Sequence, residues 1–176
     1  MLNDARIVIV GFMGCGKTQV AQELARELGE GWADLDAVIE EHDRRSPAEI
    51  IANDGEAAFR ERETAMLRKV LTSSAERVIA LGGGAWTIRG NRELVEAHKG
   101  VAVWLDAPFD LCWKRIEADD KARPLAPTRE TAHQLYSERA AIYSLADLHV
   151  RVADEPPVAI AKRIAALLRQ RHTVKR

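Results

Sequence analysis

The chain has 176 residues, 47% of them apolar and 30% charged, which fits one soluble globular domain with a core that needs no disulfide or metal staples. Lys+Arg at 26 against Asp+Glu at 27 gives a net charge of −1, which argues against a general nucleic-acid or membrane-surface binder. The 2 cysteines, Cys15 and Cys112, are too few for a disulfide framework or a zinc site and fit a reducing compartment.

Residues 7–10 are β-branched and run into Gly11, so they read as a buried strand. They do not read as a signal-peptide core, because Asp4 spoils the basic leader and Gly11, Gly14 and Lys17 break the apolar run beyond Val10. No stretch approaches the ~20 apolar residues of a membrane span, and the protein reads as cytoplasmic. Residues 17–28 carry Val20, Leu24 and Leu28 at helical spacing, with Gly29 as the stop. A second strand is expected over 32–35 and a short helix over 36–43. Ser46, Pro47 and Glu49 form a capping box with proline at the first helical position. That helix ends at Asn53, Asp54 and Gly55, and a longer one comes next over 56–72. A strand over 78–81 ends in Gly82, Gly83 and Gly84. The remaining expectations are helix 91–98, strand 101–105, helix 108–116, a charged loop 117–129, helix 131–144, strand 149–152 and helix 157–171. Disorder is expected in the run 119–123 and fraying at 172–176. Strands alternating with helices imply βαβ units, hence an α/β fold with a parallel sheet covered on both faces.

Gly11 to Thr18 fits G-x-x-x-x-G-K-[ST] without a gap, between a strand and a helix. In this motif backbone N–H groups and the helix N-terminus surround phosphate oxygens. The lysine, Lys17, reaches the β- and γ-phosphates, and the Thr18 hydroxyl takes Mg²⁺. The dinucleotide pattern G-x-G-x-x-G fails, since Gln19 stands where its last glycine would. Cys15, at a helix N-terminus, is either a thiol of lowered pKa or simply a small loop residue, and the second reading is favoured. No Asn-Lys-x-Asp guanine reader occurs. Asp106 ends a strand as a Walker B acid would, but it also precedes a helix, where aspartate caps. Asp34 and Asp36, two apart at a strand end, point the same way, either into a metal and acceptor site or as caps of the next helix.

Taken in order, the phosphate loop, Asp34-x-Asp36, the run from Asp54 to Glu63, Gly82-Gly83-Gly84-Ala85, Arg123-Pro124-Leu125 and Glu138-Arg139-x-x-x-Tyr143 resemble shikimate kinase. The resemblance covers nearly the whole chain. It implies a three-layer α/β sandwich of the P-loop nucleoside-monophosphate-kinase type, with five parallel strands. It further implies one domain over 1–176, with a substrate-binding segment at about 36–63 and a lid at about 117–130. The implied activity is transfer of the ATP γ-phosphoryl to the 3-hydroxyl of shikimate, with Mg²⁺.

Residue by residue, the resemblance assigns Arg60 and Arg139 to the acceptor carboxylate, where a planar guanidinium offers a bidentate fork. Glu63, at i+3, lies on the same helical face as Arg60 and can orient it. Asp36 meets the ring hydroxyls, and Asp34 the metal through water. Gly82, Gly83 and Gly84 let backbone approach the acceptor. Arg123 is the lid arginine over the ATP phosphates, and Arg115 stacks on adenine. ATP contacts are expected from Gly14, Cys15, Gly16, Lys17, Thr18 and Gln19, with Pro156 and Pro157 on the adenine side. Lys17, Asp36 and Arg123 are the expected catalytic set. The expected partners are shikimate and ATP, with no nucleic acid and no membrane, and the expected state is a monomer. Two residues depart from the family pattern, Gln19 where Ser or Thr is common and Trp86 after the glycine run. The rivals are a gluconate-type kinase of the same fold and a non-catalytic ATP-binding regulatory module.

Overall fold

The computed structural model describes residues 5–72, 76–119 and 123–174, with side chains described as far as 171. The elements run β1 (Ile7–Val10), α1 (Lys17–Leu28), β2 (Gly31–Asp34), α2 (Leu35–Asp43), α3 (Pro47–Asp54), α4 (Glu56–Thr72), β3 (Glu76–Ala80) and a 3₁₀ turn (Ala85–Thr87). They continue with α5 (Arg89–Ala97), β4 (Val101–Asp106), α6 (Phe109–Glu117), α7 (Arg129–Tyr143), β5 (Leu148–Arg151) and α8 (Pro157–Val174).

The five strands form one parallel sheet in the order β2-β3-β1-β4-β5. All four residues of β1 are buried, although successive side chains point to opposite faces, so helices cover both faces of the sheet. β1 pairs with β3 on one side and β4 on the other, with Ile7 opposite both Val78 and Val101. The chain order therefore reverses at β1. Open parallel sheets bind ligands at such a switch, beyond the carboxyl ends of the strands. The glycine-rich loop comes directly after β1, so the fold puts it there.

On α1, Val20, Ala21, Leu24 and Ala25 are buried, and this helix packs against α8. Gly29 ends α1 at φ 69, a left-handed conformation that glycine adopts freely. Ser46 and Glu49 make the expected capping box at α3. α3 and α2 pack on α4, and that trio carries the segment from Asp36 to Glu63.

Several boundaries differ from the sequence reading. β2 ends at Asp34, because its side chain accepts the Asp36 N–H at 3.0 Å and caps α2 from Leu35. Asp34 and Asp36 therefore sit on different elements and do not share a strand face. β3 starts at Glu76 and stops at Ala80, with Leu81 still hydrogen-bonded to Ile9. Thr128 caps α7 two residues earlier than expected. α8 continues to Val174, beyond the expected fraying point, while residues 175–176 lie outside the described residues. Within the run expected to be disordered, residues 120–122 likewise lie outside them.

Candidate active site

The phosphate loop turns through left-handed backbone at Gly14 (φ 76) and Gly16 (φ 95). A Cβ at Gly14 would also lie 2.5 Å from the Cys112 carbonyl oxygen, so the loop is pressed against α6. The start of α1 has no side-chain cap and no acid in its first turn. Its first N–H groups thus keep their partial positive charge for an anion. Lys17 Nζ curls over the loop and donates to the carbonyls of Gly11 at 3.0 Å and Phe12 at 2.9 Å. Arg115 Nη1 donates to the Gly14 carbonyl at 3.4 Å, and Arg115 Nη2 lies 3.7 Å from Asp154. It spans the loop and the stretch before Pro156, as a residue on the adenine side would. Gln19 is exposed and borders a cleft of about 470 Å³ between α1 and Pro157 and Val158 at the start of α8. Cys15 is buried, and burial pushes its thiol pKa up despite the nearby Lys17, so it is a packing residue rather than an activated thiol.

Thr18 Oγ1 donates to Asp34 Oδ2 at 2.5 Å at the mouth of the loop. A hydroxyl and a carboxylate there are the hard oxygen donors that Mg²⁺ takes alongside water and phosphate oxygens. Among the described residues no group of three or more His, Cys, Asp or Glu side chains could hold a metal by itself. The donor set therefore fits a Mg²⁺ shared with a nucleotide and does not fit a closed protein cage. Asp106 is not part of this set, since its Oδ2 pairs with His149 Nε2 at 2.7 Å.

The acceptor side is built by α4, the glycine run and α7. Arg60 reaches back along α4 to Glu56 at 3.1 Å and forward to Glu63 at 2.7 Å. The surroundings of Arg60 alone suggest a solvated ion pair on a helix surface, but Glu63 is 0% exposed. Burial pushes the Glu63 pKa up to about 7, against the pull of Arg60. Arg139 is buried on α7, at 8% exposure, and is not a surface charge beside Glu138. A Cβ on Gly83 would lie 3.7 Å from Arg139 Nη1, and one on Gly84 only 2.2 Å from Arg60 Nη2. Both guanidinium groups thus lie against the glycine run. Gly83 is also held by Tyr143 of the same helix as Arg139, whose hydroxyl donates to its carbonyl at 2.5 Å.

Asp36 sits in the first turn of α2, with a buried Oδ1 that has no hydrogen-bond partner among the described residues. Burial, and then the charge of Asp34, raise its pKa, while Lys17, Arg123 and Arg60 pull it back. The charges of those three cations thus all act on it. From the lid, Arg123 pairs with Asp119 at 2.8 Å, and its buried Nε has no partner among the described residues. Its charge acts on Asp36, as that of Lys17 does.

Two contributors were not legible as such. The Tyr143 hydroxyl is a fixed prop for Gly83, and spacing gives no sign of it. Trp86, the bulky departure, is buried, and its Nε1 donates to the Ile142 carbonyl at 3.1 Å. It ties the turn after the glycine run to α7.

Comparison with known proteins agrees with this geometry. The family model for shikimate kinase matches residues 13–169. A shikimate kinase of Ruegeria pomeroyi is 40% identical over 172 residues, covering 96% of this chain and 87% of its own. One of Synechococcus sp. (strain CC9605) is 39% identical over 170 residues, covering 95% and 84%. The solved shikimate kinase of Acinetobacter baumannii, in complex with shikimate, superposes with a TM-score of 0.89 at 32% identity, covering 96% of this chain and 95% of its own. With fold, phosphate loop and sequence in agreement over nearly its whole length, the chain belongs to the shikimate kinase family.

Proposed function

We propose that the protein transfers the γ-phosphoryl group of ATP to the 3-hydroxyl of shikimate, giving shikimate 3-phosphate and ADP, in aromatic amino-acid biosynthesis. The observation that carries this reading is that one glycine run lies against Arg139 at Gly83, Arg60 at Gly84 and the partnerless oxygen of Asp36 at Gly82. A carboxylate on a small ring suits two planar guanidinium forks, and its hydroxyl suits a raised-pKa carboxylate.

In this reading Arg60 and Arg139 hold the acceptor carboxylate, and Glu63 positions Arg60. Asp36 Oδ1 accepts the hydrogen of the attacking hydroxyl. Its raised pKa makes it a better proton acceptor than an ordinary carboxylate while it is ionised. Gly14, Cys15, Gly16, Lys17, Thr18 and Gln19 bind the nucleotide, with Arg115 on its base. Thr18 and Asp34 would hold Mg²⁺, whose charge would offset that of the phosphates. Lys17 and Arg123 stabilise charge on the transferring group, which is most of what such a reaction asks of a protein. Residues 36–63 form the acceptor segment and 117–130 the lid of a single domain, which excludes competing water on closure. Among the described residues no helix is long and apolar enough to cross a membrane, and the reading carries a cytoplasmic, monomeric enzyme.

The test is the structure of the product. Phosphorus-31 NMR of the reaction mixture should show one ester phosphate coupled to the proton on ring carbon 3, equimolar with ADP. An ester at another hydroxyl, or ADP with inorganic phosphate only, overturns the assignment.

A further inference from the structure

A second cavity, of about 800 Å³, opens where β1 and β4 begin, away from the phosphate loop. That volume is in the range of small-molecule sites. Its wall is apolar at Trp86, Val95 and Leu145 and cationic at Arg92, Lys99 and Arg171. Two acids share the lining, Glu96 and Asp147. Asp147 is already engaged, accepting the Ala102 N–H at 2.9 Å through Oδ2 and pairing with Arg171 at 2.6 Å through Oδ1.

The cations are under-matched. Arg92 Nη1 donates only to neutral acceptors, the carbonyls of Trp86 at 2.7 Å and Thr87 at 3.0 Å. Neither Arg92 nor Lys99 has an ion pair to a carboxylate among the described residues. Arg171 keeps a buried Nη1 with no partner among them. At the rim, Leu145 is 63% exposed, one of two large apolar side chains left open to solvent among the described residues.

We propose that this cavity is a binding site for a small organic carboxylate with an apolar body. The carboxylate meets the Arg92, Lys99 and Arg171 side of the cavity, and the body packs against Trp86, Val95 and Leu145. An inorganic anion gains the charge but buries no apolar surface, and a neutral apolar molecule leaves the cations unmatched. The site stands next to the acceptor machinery. Arg92 clasps the turn just beyond Gly84, and the Trp86 indole is bonded to α7, the helix that carries Arg139.

The Trp86 indole N–H is the reporter, one of 4 tryptophan indoles, assigned by its loss in Trp86→Phe. The probe is 3-phenylpropionate, followed by ¹⁵N–¹H NMR with and without excess shikimate. The expected result is a saturable shift of the Trp86 indole with a Kd of about 1 mM or tighter, unchanged by shikimate. Acetate, with the charge but no body, and 3-phenylpropan-1-ol, with the body but no charge, should each bind roughly ten-fold more weakly or worse. Lys99→Gln, an exposed position, should weaken the probe several-fold and leave phosphotransfer unchanged. The proposal is overturned by a resonance that does not saturate, by equal binding of the alcohol, by indifference to Lys99→Gln, or by displacement with shikimate, which would put the probe in the acceptor site.

Discussion

Asp36 and Glu63 close on the same point from two helices. A Cβ on Gly82 would lie 2.8 Å from Asp36 Oδ1 and 2.9 Å from Glu63 Oε1. Neither oxygen has a hydrogen-bond partner among the described residues. Each carboxylate is raised by burial, and the charge of Asp36 also helps raise Glu63. Only glycine leaves room for both acids here, which accounts for the residue that opens the run after β3.

The Glu63 pKa makes stability depend on pH. Its folded value of about 7 lies above the ordinary 4.5, so the native state binds this proton more tightly than the unfolded chain. The contribution of the neutral form is complete below the unfolded value and is lost as pH rises through about 7. Urea unfolding of the protein and of Glu63→Gln, compared from about pH 4 to pH 8, should show the difference between them moving against the native residue by roughly 3 kcal/mol. A constant difference, or one that moves the other way, contradicts the assignment.

Removing one acceptor arginine separates the two substrates. Arg60→Ala and Arg139→Ala should each raise the shikimate KM about 100-fold or more, the cost of a lost charge-assisted bidentate contact. The ATP KM should change by no more than a few-fold. Equal losses for both substrates in steady-state kinetics would remove the acceptor role.

The glycine run separates steric from folding effects. Gly84 has φ −96, which any residue adopts, and its added Cβ would strike only the movable Arg60 guanidinium. Gly84→Ala should therefore melt within a few degrees of the native protein yet raise the shikimate KM at least ten-fold, through a displaced Arg60. Gly14 has φ 76 and faces the backbone of Cys112. Gly14→Ala should instead lower the melting temperature and weaken ATP binding. Thermal melts with both KM values distinguish the two patterns.

Among the described residues Lys17 donates only to carbonyls of its own loop and takes part in no ion pair. Lys17→Ala should keep the melting temperature within a few degrees while kcat falls by about 1,000-fold or more, the scale of losing a charge that acts on the transferring phosphoryl group. A kcat within ten-fold of the native value contradicts the phosphate-loop assignment.

Sequence alone exposed the parts of this site that depend on local spacing. The phosphate loop is contiguous, so its glycines, Lys17 and Thr18 were legible together with the strand and helix that flank them. Arg60 and Glu63 sit one helical turn apart, and their pairing comes from that. Burial was not legible. Among Glu56, Glu61 and Arg62, the pair looks like a solvated surface, and only the packing of α4 against α2, α3 and α5 seals Glu63. That Asp34 and Asp36 at a strand end do not point the same way was not legible, because the cap that starts α2 is itself one of the two acids. The effect of the Arg123 charge on Asp36, 87 positions away, comes from tertiary structure, which no local pattern encodes.

The central claim is that this site phosphorylates shikimate. The most direct measurement is ADP release from ATP and Mg²⁺ with shikimate, gluconate or AMP supplied in parallel as acceptor. ADP release should depend on shikimate, with neither of the other acceptors above background. Release that tracks gluconate or AMP instead would contradict the roles given to Asp36, Arg60 and Arg139. No release with any acceptor while ATP still binds would make the chain an ATP-binding regulatory module.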